Sequence, residues 1–283
     1  MGKINWAIFI LILSISINSF SAFGDVDMVF NLSNYHYCSP VSICYQYGCF
    51  FILESYINLN YDIYPLVKIH SLALGAADPI EIVKICQIFH YRNDLNGFCF
   101  VKENDSDFLW TAESLNKQLW QLKFLTTGEA EDFERYRTLK LPQEPENEYY
   151  PTGITIDNNK NLYFINGLNR SVYKIDYSVY SGSTGDIDIS SEQITKLFEV
   201  PRAPSIPMGI EYESPGNLYF TLSGENDYLI KTNILGIELA YKDLHIQSNP
   251  GYISRFPTDL TLEDTSFIWF TDCMYDKLYR CEK

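Results

Sequence analysis

Four short segments of this chain are versions of one another, and that self-similarity restricts the fold more than any other feature. They read Phe108-Leu109-Trp110-Thr111-Ala112, Leu162-Tyr163-Phe164-Ile165-Asn166, Leu218-Tyr219-Phe220-Thr221-Leu222 and Ile268-Trp269-Phe270-Thr271-Asp272. Each follows a short alternating apolar run and precedes a polar turn and a third such run. The clearest copy is Pro151 to Asp157, then Asn161 to Asn166, then Ser171 to Asp176, with Ile194 to Val200 as a fourth run beyond a Ser/Gly-rich loop at Ser181 to Gly185. Period-two alternation predicts strands, and the Asn, Asp and Gly between the runs supply turn chemistry. One small all-β unit repeated around the chain predicts a β-propeller of four-stranded blades.

The other copies start at Pro207 and Pro257, with an earlier one near Leu95 and a degenerate one from Pro40 whose second strand is Gly48 to Leu53. Starts near 40, 95, 151, 207 and 257 give a period of about 50 to 56 residues and five blades by count. The last copy ends at Lys283 with three strands. Its missing outer strand is expected from Val26 to Leu32, which closes the ring and removes an exposed edge. The acidic stretch Glu129 to Glu148 falls inside a blade and is expected as a long solvated loop. The paired rings Tyr163/Phe164, Tyr219/Phe220 and Trp269/Phe270, with Trp110, are expected to fill the wedges between blades, one residue of each pair to each side.

The N-terminus has the form of a secretory signal. Lys3 precedes an apolar run from Trp6 to Ile17, and Ala22-Phe23-Gly24 offers a cleavage site. The run is well short of the roughly 20 residues that a membrane helix needs. We therefore expect residues 1–24 to be a cleaved signal peptide, with an uncleaved signal anchor as the alternative, residues 25–283 to be a single secreted domain, and no membrane-embedded segment in the mature chain. The formal charge is −15, which excludes nucleic-acid binding through clustered Lys and Arg. Seven cysteines suit an oxidising compartment and predict disulfides with one thiol left over. A staple from Cys273 or Cys281 to Cys38 or Cys44 would lock the ring. Asn31, Asn104 and Asn169 begin Asn-x-Ser sequons and are candidate glycosylation sites.

The Pro-x-Gly-Ile-x-x-Asp opening at Pro151 to Asp157, followed by Asn-Leu-Tyr-Phe, resembles repeats of the NHL and SMP-30/gluconolactonase-like propellers. Trp269-Phe270-Thr271-Asp272 is similar to the YWTD repeats of receptor propellers. The resemblance covers residues from about 95 to 283 and implies a six-bladed alternative to five. It also implies a rival function, a hydrolase of lactones or esters with a divalent cation, Ca2+ or Zn2+, at the central channel. In such lactonases a Glu, an Asn and an Asp hold the cation, and the Asn and Asp follow the Pro that opens a blade. The matching positions here are Thr152, Met208 and Thr258, which supply no carboxylate, and Asp259 stands one place later.

In a propeller the turn between second and third strands lies at the end where the first strand enters. That gathers Glu113, Asn116, Lys117, Asn166, Asn169, Arg170, Glu225, Asn226, Asp227, Asp272 and Asp276 at one mouth of the ring. We take Glu113, Asn166, Asp227, Asp259 and Asp272 as candidate ligand-binding residues there, against the alternative of ordinary turn chemistry. Neither a Gly-x-Ser-x-Gly elbow nor a cysteine/histidine zinc spacing occurs, so no catalytic residue or metal ligand is assigned. The sequence thus favours a secreted module that binds an extracellular protein or small molecule without a cofactor. The metal-dependent hydrolase is the alternative, and a structural role in a matrix or wall is a third.

Overall fold

A computed structural model describes residues 23–32, 39–54, 56–58, 61–70, 83–90, 95–127, 130–143, 148–180, 182–246 and 252–283, without the side chains of 54–94 and 125–133. The expected signal segment up to residue 22, Cys38 and His36, and the side chains of Cys86, His70 and His90, lie outside the described residues. Among the described residues no helix is long and apolar enough to cross a membrane.

Among the described residues twenty-two strands form five sheets in a propeller arrangement. After β1 (Val26–Asn31), the first sheet holds β2 (Pro40–Gln46), β3 (Cys49–Glu54), β4 (Tyr56–Asn58), β5 (Tyr61–His70) and β6 (Val83–His90). There β3 and β4 follow one another along a single edge of β5, so this sheet is four strands wide. The second sheet holds β7 (Leu95–Glu103), β8 (Ser106–Glu113), β9 (Gln118–Thr127) and β10 (Ala130–Lys140). Next come β11 (Pro151–Ile156), β12 (Asn161–Asn166) and β13 (Ser171–Asp176), then β14 (Gly185–Asp188), then β15 (Ile194–Glu199). Of these β14 leaves its neighbours and joins the second sheet beside β10, in parallel. The fourth sheet is β16 (Ile206–Glu213), β17 (Asn217–Ser223), β18 (Tyr228–Asn233) and β19 (Glu238–Asp243). The fifth is β20 (Pro257–Leu262), β21 (Phe267–Asp272) and β22 (Lys277–Glu282), with β1 paired antiparallel to β22.

Two expectations are corrected here. The second sheet has a fifth strand, because the Ser/Gly-rich connection after β13 extends along an open edge instead of looping through solvent. The acidic stretch from 129 to 148 is for the most part strand β10, because Leu139 and Leu141 turn inward beside fully buried Arg137.

The first strands pack in a cycle: β2 on β7, β7 on β11, β11 on β16, β16 on β20 and β20 on β2. Glycines make this close approach possible. A Cβ on Gly97 would lie 2.7 Å from the Cα of Gly153, and one on Gly153 would lie 2.6 Å from the Met208 carbonyl oxygen. Farther out the repeated rings fill the wedges. Phe164 packs with Trp110, Tyr163 with Phe220, Tyr219 with Phe270 and Trp269 with Phe50, each in its own apolar cluster. Adjacent residues of one strand thus serve opposite interfaces, as the pleat demands. A carboxylate six residues earlier holds the polar tip of the outer ring in three sheets. Tyr163 donates to Asp157 (2.9 Å), Tyr219 to Glu213 (2.8 Å) and Trp269 Nε1 to Glu263 (2.7 Å).

The expected disulfides do not form among the described residues, and Cys44, Cys99, Cys273 and Cys281 carry unpaired thiols. Cys44 lies in the wedge between the first two sheets and Cys281 in the wedge between the last two, so a staple between them has no reach.

Candidate functional site

Three of the predicted mouth residues hold one position in the repeat. Glu113, Asn166 and Asp272 each end the second strand of a sheet, opposite the first residue of the third strand. All three are fully buried, and each spends its acceptors on the turn that follows. Glu113 accepts from the amides of Leu115 (3.1 Å) and Asn116 (2.9 Å). Asn166 accepts from the amides of Leu168 (3.0 Å) and Tyr150 (3.2 Å). Asp272 accepts through Oδ1 from Met274 (2.9 Å) and Tyr275 (3.1 Å), and through Oδ2 from Ser254 Oγ (2.8 Å) and the Arg255 amide (2.7 Å). All three satisfy turn amides, and Asn166 and Asp272 also tie their turns to the connection beside them.

Asp227 stands at a different place, just before β18. It accepts from the Gly224 amide (3.1 Å) and lies 2.8 Å from His245 Nε2. Burial raises its carboxyl above the usual range, while the His245 contact works against that rise. Glu113, Asn166, Asp227 and Asp272 are therefore spread around the mouth at separate turns.

Asp259 belongs to the axis. At the third residue of each copy, counted from Pro40, Leu95, Pro151, Pro207 and Pro257, the series reads Ser42, Gly97, Gly153, Gly209 and Asp259, so the small residues leave one carboxyl the central space. Its Oδ2 accepts from the amides of Ile43 (3.1 Å) and Phe98 (3.2 Å), which come from two other sheets. Burial drives its pKa well above the ordinary carboxylate range, and the amide hydrogen bonds only partly offset that. Two residues farther on, the series is Cys44, Cys99, Thr155, Glu211 and Thr261. Burial and the neighbouring Asp259 also push Glu211 up, although it keeps part of its surface open. Burial raises both thiols as well. This rung was readable as the fifth residue of each aligned copy.

What the sequence reading missed is what the buried caps hold outward. Two residues beyond them stand Leu115, Leu168 and Met274, which are 55%, 59% and 66% exposed. Ile206 enters β16 at the same end, opposite Ser223, and Phe256 hands its carbonyl to the Cys273 amide. Ile246, close to the Asp227 turn, is exposed too. The mouth is thus studded with apolar side chains on loops whose backbones are fixed from beneath. The signal lay in the aligned triplets Glu-Ser-Leu, Asn-Gly-Leu and Asp-Cys-Met at 113–115, 166–168 and 272–274.

The residues present do not fit the divalent cation that the lactonase resemblance implies. Thr152 Oγ1 donates to the Pro207 carbonyl (3.0 Å) and Thr258 Oγ1 to the Pro40 carbonyl (2.8 Å), so both hydroxyls knit adjacent sheets. Met208 offers a thioether, a poor ligand for a hard ion. Among the described residues no three His, Cys, Asp or Glu side chains are placed to hold a metal ion.

No family model matches the chain, and no curated protein does. Solved structures match it at low identity. A Chaetomium thermophilum Raptor structure superimposes with a TM-score of 0.50 and 8% identity, over 92% of this chain and 29% of that one. A bifunctional GH43-CE protein of Bacteroides eggerthii gives 0.51 and 8%, over 88% of this chain and 32% of that one. The chain thus spans about a third of either. Virginiamycin B lyase from Staphylococcus aureus gives 0.43 and 15%, over 89% and 97%. At these identities the likeness concerns the fold alone, a β-propeller.

Proposed function

We propose that this chain is a secreted, five-bladed propeller, closed by its N-terminal strand, that works as a protein-interaction module through the mouth of the ring. The observation that carries this reading is the set of exposed apolar residues Leu115, Leu168 and Met274, displayed at equivalent turns by the buried groups Glu113, Asn166 and Asp272. Exposed apolar groups on rigidly held loops favour burial against a partner. Glu113, Asn166, Asp227 and Asp272 serve by shaping the surface, and Asp259 by holding the axis. The hydrolase alternative loses support because the Thr152 and Thr258 hydroxyls and Asp259 Oδ2 are committed to backbone partners.

Peptide display on the immobilised protein tests the proposal. We expect enrichment of apolar and aromatic peptides whose binding falls by about tenfold or more in the triple variant Leu115→Glu, Leu168→Glu, Met274→Glu, with Tm unchanged. Peptides that bind the variant equally well would overturn it, as would cation-dependent turnover of lactones or aryl esters by the purified protein.

A further inference from the structure

We propose that the outer edge of β10 is a docking site for an extended acidic peptide, and that β14 is the chain's own imperfect occupant of it. This deepens the interaction-module reading and rests on it, but places a second contact surface away from the mouth. The four residues of β14 pair in parallel with β10, Gly185 beside Arg137, Asp186 beside Thr138, Ile187 beside Leu139 and Asp188 beside Lys140. Three of the four are exposed, and only Ile187 is part-buried, packed beside Leu139. Asp186 reaches Lys140 Nζ at 2.9 Å. The docking mode is therefore written in the fold: an extended segment adds to the edge, one face supplies an apolar anchor and the other an acidic group for Lys140.

The fourth position is unmet. Arg137 is 1% exposed, and its Nε donates to the Ser183 carbonyl (3.0 Å), yet among the described residues Nη1 and Nη2 make no hydrogen bond. Along the same cross-strand row, Gln121 Oε1 and Trp110 Nε1 are also buried without partners. Glu103, the nearby carboxylate, is taken by Gln121 Nε2 (2.9 Å) and the Tyr177 hydroxyl (2.7 Å). With Glu103 Oε1 engaged elsewhere and no ion pair to Arg137 among the described residues, a buried guanidinium with two unbonded nitrogens is unfavourable. The residue in register with Arg137 is Gly185, which has no side chain to offer. In a pleated pair, partners in register share a face. An Asp or Glu at that position in an incoming strand would bring a carboxylate to Nη1 and Nη2. The preferred ligand then reads acidic, acidic, apolar, acidic, where the native segment reads Gly-Asp-Ile-Asp.

Fluorescence anisotropy with two labelled hexapeptides, Ser-Glu-Asp-Ile-Asp-Ile and Ser-Gly-Asp-Ile-Asp-Ile, tests this on the full chain. A variant in which a Gly/Ser linker of equal length replaces residues 182–188 frees the edge, and Ile187→Asp loosens the native strap if the linker variant fails to fold. We expect the freed edge to bind the Glu peptide about tenfold more tightly than the Gly peptide, and the unaltered chain to bind both more weakly. Adding Arg137→Met should erase the preference, while the triple mouth variant should leave it intact, which separates failure here from failure at the mouth. Equal affinity for the two peptides, a preference that survives Arg137→Met, or no binding to a folded freed edge would each overturn the proposal.

Discussion

Asp259 sits among the backbones of three sheets and receives an amide from two of them, so its substitutions separate hydrogen bonding from charge. Asp259→Ala leaves the Ile43 and Phe98 amides without acceptors and should cost about 2–4 kcal/mol by denaturant unfolding. Asp259→Asn keeps an acceptor and removes the buried charge. Because burial raises the folded-state pKa, the wild type loses stability as pH climbs from the unfolded carboxylate range towards that raised value, whereas the Asn variant should lack this slope. Glu213 behaves in the opposite sense. Burial pushes it up, but hydrogen bonds from Lys283, Tyr219 and Asn217 prevail and hold it at about 2. Its contribution is present above the ordinary Glu range and fades as pH falls through that range towards 2. Lys283→Met should therefore shift the acid-unfolding midpoint to higher pH, read by circular dichroism.

At the scale of the strand, the first strands were legible because Pro, then Gly two places later, then alternating apolar residues recur at 151 and 207, with Asp259 replacing the Gly in the copy that starts at Pro257. The paired rings were legible as wedge filling because their neighbours point to opposite sides. β14 was not, since Gly-Asp-Ile-Asp carries a single apolar residue and pairs with a strand that is not its chain neighbour. The mouth carboxylates were visible as turn residues. Their inward aim was not, because a cap and a ligand look the same in sequence. Tight axial packing gives this scale its own prediction. In Gly153→Ala the new methyl group meets the Met208 carbonyl oxygen and should cost about 1–3 kcal/mol, measured as a lowered urea midpoint with unchanged slope.

In the proposed ring the last sheet takes strands from both chain ends. β1 pairs with β22, Arg280 holds Asp27 through two hydrogen bonds of 3.0 and 2.7 Å, and Lys242 of the fourth sheet pairs with Asp25. Removing residues 23–31 would uncover the β22 edge, and light scattering after size exclusion should show larger species than the intact chain gives. The most direct test of the closed cycle of first strands is amide hydrogen exchange at Ile43 and Phe98. These amides should exchange only through global unfolding in the wild type, and both should exchange far faster in Asp259→Ala. Rapid exchange in the wild type, or rates indifferent to the substitution, would contradict a ring whose first strands meet at one axis.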